Sequence, residues 1–373
     1  MSDPGALQAA GLYDPEAPGA PDRLALLEHL VAEGATVGDM VEADRLGRLP
    51  ALAGHLARRG TGPFHSPAEL AAAGVAHLET FAKVWQAAGL PAVPPDEHDL
   101  NEEDVQAIRS FESAVDLFGE DALLQFTRAV GAGLASIADA SMAIFGLTVS
   151  DSLLEEGASE LEYARALENG SRLLADVVPQ VMEALLVHHI DRAVDRYVAG
   201  GGDDVGAQLA YLAVGFVDLV ESTAIIQDLP PADIASAISA FEHRATEVVA
   251  AHGGRVVKFI GDEVMFVAST AADAAEIALE LVEFAAEHPA LRGLRGGLAW
   301  GALVRGYGDY YGPVVNIAAR AVKEARSGEV LAELELVGQV QAATALRVGV
   351  PQERELRGFV EPVVLWPIER PGS

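Results

Sequence analysis

The hydrophobic period of this chain changes once, at a glycine run. Before Ala199-Gly200-Gly201-Gly202-Asp203-Asp204, apolar residues recur every three or four positions; after it they come in compact runs of strand length. A helical period does not settle as a strand, nor a strand period as a helix. The chain therefore divides into an all-α module and an α+β module joined at a Gly-rich hinge. The boundaries read as a flexible N-terminus over 1–21, a helical domain over 22–170, a long helix and hinge over 171–204, and a mixed domain over 205–373.

Within the first module, Ser66-Pro67-Ala68-Glu69 is a capping box with Pro at the first helical position. Helical spacing covers Asp22–Glu33, Ala51–Arg59, Val75–Ala88, Glu102–Leu117, Asp121–Phe145, Asp151–Glu168 and Ser171–Tyr197, with Pro179 a candidate kink in the last. The stretch Asp121–Val149 is apolar around much of its circumference and is expected to be buried. In the second module, strand patterns at Ala210–Asp218, Arg255–Ile260, Val264–Ala268 and Leu294–Trp300 alternate with helices at Ala232–Ala251, Ala271–Glu287 and Val314–Ala325. The order βαββαβ is that of a ferredoxin-like core with a C-terminal extension.

Composition excludes several classes. With 25 basic against 56 acidic residues and a net charge of −31, the chain is a poor binder of nucleic acid or anionic membrane. It has no Cys, so disulfides and thiolate chemistry are out. Its most apolar window, Ala129–Val149, is interrupted by Asp139, so no membrane span is expected. The first residues carry no secretory pattern, and a cytoplasmic location is expected.

Two acids sit where structure alone would not choose them. Asp218 ends the first apolar strand, and Asp262 lies in the tight turn Gly261-Asp262-Glu263 between the second and third. This topology brings the two together. Paired carboxylates without His or Cys suit Mg²⁺ or Mn²⁺, although an N-cap at Asp218 and a turn former at Asp262 are the plain alternatives. After Asp218, the segment Leu219, Val220, Glu221, Ser222, Thr223 could turn backbone N–H groups toward a triphosphate. Gly-Lys occurs nowhere, so this is not a P-loop. Asn316 and Arg320 are four apart on a predicted helix and share a face. Lys occurs three times; Lys258 stands beside the acidic turn, while Lys83 and Lys323 read as chance placements.

Three segments, FVDLVEST, KFIGDEVM and GDYYGPVVNIAAR, together resemble the catalytic domain of class III nucleotide cyclases over about Val205–Ile368. Diguanylate cyclases share the topology, but the turn here lacks their first Gly and their Phe. The resemblance implies an adenylate cyclase that turns ATP into 3′,5′-cyclic AMP and pyrophosphate. It implies two Mg²⁺ or Mn²⁺ ions on Asp218 and Asp262, and adenine read by Lys258 and Asp309. Asn316 would orient the ribose and Arg320 would stabilise charge on the α-phosphate. Leu219, Val220, Ser222, Thr223, Arg295 and Arg357 would approach the triphosphate, with Glu221 a departure from the usual small residue. It also implies a homodimer with active sites at the subunit interface. A guanylate cyclase and a catalytically inactive nucleotide-binding sensor or scaffold are the alternatives. The first module resembles, by helix pattern and placement, the helical regulatory domain of actinobacterial pH-responsive cyclases. Two effectors follow as expectations: a proton, through His188 and His189 beside Asp191 and Asp195, or a lipid-like molecule along Asp121–Val149.

Overall fold

A computed structural model of the chain describes residues 3–59, 62–75, 77–145, 158–199, 209–220, 231–288, 291–306, 308–359 and 361–371. Two compact units divide at Val194/Asp195.

The first unit is helical among its described residues: α1 Pro4–Ala9, α2 Ala20–Ala32, α3 Val37–Arg45, α4 Ala51–Arg59, α5 Pro67–Ala72, α6 Leu78–Ala87, α7 Glu102–Phe118, α8 Glu120–Phe145 and α9 Glu160–Ala199, the last of which runs past the boundary at Val194. Capping boxes start α3 at Thr36/Asp39, α5 at Ser66/Glu69 and α7 at Asn101/Asp104. Each satisfies two of the free N–H groups at a helix start. Leu7, Leu26, Leu27, Leu30, Met40 and Leu49 form one core; Leu70, Phe81, Leu100, Val105 and Ile108 form a second.

Three expectations need correcting. The N-terminal residues are not loose, because Asp3 caps α1 and Leu7 and Leu12 are buried in the first core. The patterns Asp151–Glu168 and Ser171–Tyr197 are not two helices: α9 runs unbroken through Gly170 and Pro179, with 151–157 outside the described residues. Nor is α8 buried. Phe126 and Ile144 are 62% and 64% exposed, and among its described residues only Gly131 is buried, where the helix passes against the backbone of Ala88. One α-helix leaves much of its circumference uncovered unless neighbours surround it. Among the described residues, Glu160–Asp195 is long and apolar enough by length and composition to cross a membrane; Asp176, Pro179 and Glu183 interrupt it.

The second unit is built on a mixed sheet. Its strands are β1 Leu209–Leu219, β2 Arg255–Ile260, β3 Glu263–Ala268, β4 Leu294–Gly306, β5 Asp309–Tyr311, β6 Val330–Ala332, β7 Arg347–Val348, β8 Gln352–Arg354 and β9 Val363–Glu369. Its helices are α10 Pro231–Ala251, α11 Ala271–Glu287, α12 Pro313–Glu324 and α13 Leu334–Ala343. The order β2-β3-β1-β4, all antiparallel, is the ferredoxin-like core; β6, β9 and β7 extend it.

Both faces of this sheet are covered, so its central strands read as continuous apolar runs. On one face Val217, Val264, Phe266 and Leu298 pack with Phe241 of α10, Ile277 and Leu281 of α11 and Leu336 of α13. On the other Val214, Phe216, Met265, Val267 and Ala299 meet Ala318 and Val322 of α12. Gly297 sets the height of α12 above the sheet. A Cβ there would stand 2.2 Å from the Val322 nitrogen and 2.5 Å from the Ala318 oxygen, both backbone atoms that cannot swing aside. Gly297→Val should therefore destabilise the chain by about 3 kcal/mol, the upper range for overpacking. Thermal unfolding of the variant checks this, and an unchanged melting temperature would mean that α12 does not lie this close to β4.

Candidate functional site

Side chains alternate across a strand, and this alternation builds the site. Val214, Phe216 and Asp218 fall in one row of β1; Glu263 and Met265 of β3, and Arg295, Gly297 and Ala299 of β4, belong to the same face. Asp218 is thus the polar end of an apolar row, directly opposite Glu263 on one side and Arg295 on the other. It is 3% exposed. The neighbouring turn is locked to it, because the Leu219 N–H donates to the Asp262 carbonyl at 3.2 Å. Gly261, with φ +64°, supplies the left-handed residue that so tight a turn requires.

A buried carboxylate needs partners. Arg295 donates to Asp218 Oδ2 through Nε at 3.0 Å and Nη2 at 2.7 Å. Lys323, from the last turn of α12, places Nζ 3.1 Å from the same oxygen and 2.5 Å from Glu263 Oε2. Burial pushes the Glu263 carboxyl above its ordinary value, against the pull of the Lys323 ammonium, and the charges of Asp218 and Asp262 add to the rise. For Lys323, burial alone would lower the pKa, but the hydrogen bonds to Glu263 and Asp218 prevail and the net shift is upward. Asp262 is half-buried and its carboxylate has no hydrogen bond or ion pair among the described residues. Asp218 and Asp262 offer hard carboxylate oxygens, the ligand type that divalent cations such as Mg²⁺ take. Asp218 and Glu263 are drawn to cations of their own chain rather than closed with Asp262 around one point.

Of the other expected residues, Lys258 shares the Met265 face of the sheet, Asp309 opens the edge strand β5, and Asn316 and Arg320 stand on α12. Lys258, opposite Met265, reaches Asp309 Oδ2 at 2.5 Å. The Tyr310 N–H donates to Asp309 Oδ1 at 2.9 Å and fixes that carboxylate. Arg255 donates to the Gly308 carbonyl at 2.9 Å and lies over the Tyr310 ring, which ties β2 to the β5 hairpin. Asn316 and Arg320 are exposed on α12, in the same stripe as Lys323. Among the described residues neither has a side-chain partner, although the chain carries 56 acidic groups. Arg357 is exposed in a turn.

Parts of the expected phosphate site are corrected. The Leu219 and Val220 N–H groups are not available as phosphate donors, because they already bond the Asp262 and Gly293 carbonyls at 3.2 and 3.0 Å. Ser222, Thr223 and Glu221 lie outside the described residues. Arg295 does not reach outward; its Nη1 donates to the Lys323 carbonyl at 3.1 Å while Nε and Nη2 hold Asp218. Two contributors escape the sequence reading. Glu263 is the first residue of β3 rather than part of the turn, and Lys323 is not a chance placement. The signal for Lys323 is its position seven residues after Asn316, two turns along one helix face.

In the helical unit, His188 and His189 are exposed on α9 with no partner among the described residues. The histidine that does pair is His29 of α2, whose Nε2 lies 2.8 Å from Glu168 Oε2 of α9. Arg172 bridges Glu168 and Glu33 at 2.6 and 2.9 Å, so this imidazole–carboxylate group already has its cation.

Comparison with known proteins supplies the context. A family model described as the adenylate cyclase regulatory domain matches residues 8–194, and one described as the adenylate and guanylate cyclase catalytic domain matches 207–358. The chain is 33% identical over 362 residues to an uncharacterized protein of Mycobacterium tuberculosis, covering 96% of this chain and 92% of the other. It is 30% identical over 311 residues to an adenylate cyclase of Glutamicibacter nicotianae, covering 78% and 75%. Against a pH-sensitive adenylate cyclase of Mycobacterium tuberculosis the identity is 26% over 305 residues, covering 79% and 75%.

Proposed function

The chain belongs to the adenylate cyclase family, in which a regulatory domain precedes a nucleotide cyclase catalytic domain, and from that premise we propose that it converts ATP to 3′,5′-cyclic AMP and pyrophosphate. The observation that carries the choice of ATP is the ion pair between Lys258 and Asp309 at 2.5 Å. An ammonium beside a carboxylate matches adenine, whose N1 accepts and whose 6-amino group donates. Guanine offers the reverse, an N1–H donor and an O6 acceptor.

The residues divide the remaining work. Asp218 and Asp262 would hold two divalent ions, with Arg295 keeping the first carboxylate in place. Bound there, the ions would supply charge for the triphosphate and a lower pKa for the ribose 3′-OH. Asn316 orients the ribose so that its 3′-oxygen lines up with the α-phosphorus. Attack there forms the cyclic phosphodiester and breaks the bond to pyrophosphate. Arg320 stabilises the charge that develops on the α-phosphate, a task suited to its fixed fork of donors. Arg357, exposed and basic, is assigned to the departing pyrophosphate. We assign these roles to a homodimer in which the base-reading Lys258 and Asp309 of one subunit, with its Asn316 and Arg320, complete the site whose metal ligands Asp218 and Asp262 come from the other, so that Lys258 and Asp262, four residues apart, serve different sites. The cytoplasm is the assigned setting, where a Cys-free chain gives up nothing to a reducing environment. The helical unit would set the rate of this reaction, with a proton or a lipid-like molecule as effector.

The adenine assignment has a direct test. The double variant Lys258→Glu/Asp309→Ser should lose about a hundredfold in kcat/KM for ATP and turn toward GTP, because a polar pocket rejects a base whose donors and acceptors are reversed. Steady-state rates with both nucleotides measure it. An unchanged preference would remove Lys258 and Asp309 from base recognition.

A further inference from the structure

We propose that Lys323 is the resident counter-ion of the metal-binding carboxylates, competing with the divalent ion for Asp218 and so setting how tightly that ion binds. The inference rests on the reading of Asp218 and Asp262 as metal ligands.

Two carboxylates meet where β1 pairs with β3, Asp218 and Glu263, and two cations of the same chain answer them, while Asp262 in the adjoining turn has no ion pair among the described residues. The two cations are held differently. Arg295 is locked, with its guanidinium spread over Asp218 Oδ2 and the Lys323 carbonyl and its side chain 24% exposed. Lys323 stands at the rim. Its side chain is 48% exposed, while those of Asp218 and Glu263 are 5% and 10% exposed. Its stem is long and flexible, and its charge is a compact point rather than a fork. Of the two cations it is the one able to leave without dismantling the sheet.

Its two contacts also differ. The ammonium is 2.5 Å from Glu263 and 3.1 Å from Asp218. It can release the longer contact and keep the shorter, so Glu263 is never left as an unpaired buried charge, the costly outcome. Arg295 and Lys323 converge on the single oxygen Oδ2 of Asp218. A positive charge so close to the ligand oxygens works against a second, divalent charge. Removing it should tighten metal binding. The location is specific, because Gly297 lets α12 approach β4 closely enough for Lys323 to reach the pair.

Binding of Mn²⁺ to the full chain without nucleotide, followed by the electron paramagnetic resonance signal of the free ion, tests this. Lys323→Met should bind Mn²⁺ about fivefold more tightly, the size expected of a half-exposed ion pair. Lys323→Arg, which keeps the charge, should bind like the parent. Asp218→Asn should lose the site. If Asp218→Asn loses the site while Lys323→Met binds as the parent does or more weakly, Lys323 is no competitor and the proposal fails alone. If Asp218→Asn binds Mn²⁺ unchanged, the metal reading of Asp218 fails and takes the proposal with it. A Lys323→Arg chain that matches a tightened Lys323→Met would also overturn it, because shape rather than charge would then be responsible.

Discussion

Asp262→Ala in the full chain should lower the rate of cyclic nucleotide formation by about a thousandfold, the roughly 4 kcal/mol expected when a metal-held charge is lost from a phosphoryl transition state. The same substitution should leave the fold intact. The Asp262 carboxylate has no partner among the described residues, and the contact that ties the turn to β1 uses its backbone carbonyl, which alanine keeps. The melting temperature should therefore stay within the range of an ordinary surface change, about 0.5 kcal/mol. Asp218 offers no such separation. Its side chain is 5% exposed and neutralises Arg295, so truncating it leaves a part-buried guanidinium without its carboxylate. Activity together with a melting curve for Asp262→Ala is thus the cleaner experiment. A variant that melts like the parent and keeps more than about a tenth of its activity would contradict the assignment.

Arg320→Ala should cost about three hundredfold in kcat, within the range for one lost donor to a developing charge. The KM for ATP should change little, since the interaction is assigned to the transition state. Arg320 is exposed on α12 four residues from Asn316, and no carboxylate engages it among the described residues. In a chain of net charge −31, an arginine left without an acid is available to an anion from outside the fold. Arg320→Lys should recover only a small part of the loss, because an ammonium does not reproduce the planar fork. Steady-state kinetics at saturating metal distinguish the outcomes. A rise in KM at constant kcat would move Arg320 from stabilising the reaction to binding the substrate.

The catalytic unit was largely legible in the sequence because its elements are bounded by strong local signals. The acidic turn at Gly261-Asp262 gave the β2–β3 hairpin, and the run Ala271–Glu287 carried an unbroken helical period. Asp218 stood out as a charge ending an apolar strand. Lys323 did not, because it meets Glu263 across 60 residues of sequence, and only the docking of α12 on Gly297 brings the two together. Adjoining Asp262, Glu263 looks in sequence like part of the turn; pairing with Asp218 draws it into β3. The phosphate loop illustrates a different limit. A small polar segment after a strand advertises free N–H groups, yet those of Leu219 and Val220 are consumed by neighbouring carbonyls that lie far away in sequence.

The helical unit was less legible. Its short helices announced their starts through capping residues, and the Ser66 box is a direct case. Its long helices carried little positional information. The apolar circumference of α8 suggested burial, but a periodic pattern does not reveal which neighbours are present to cover it. Pro179 did not divide α9; a proline removes one intrahelical hydrogen bond, and a helix can continue past that loss with a kink or local adjustment.

The measurement that tests the central claim most directly is product formation by the purified full chain from ATP and from GTP, each with Mn²⁺ and with Mg²⁺. The predicted result is cyclic AMP from ATP, dependent on the divalent ion and well above any cyclic GMP from GTP. No cyclic nucleotide under either metal, or cyclic GMP as the main product, would contradict it.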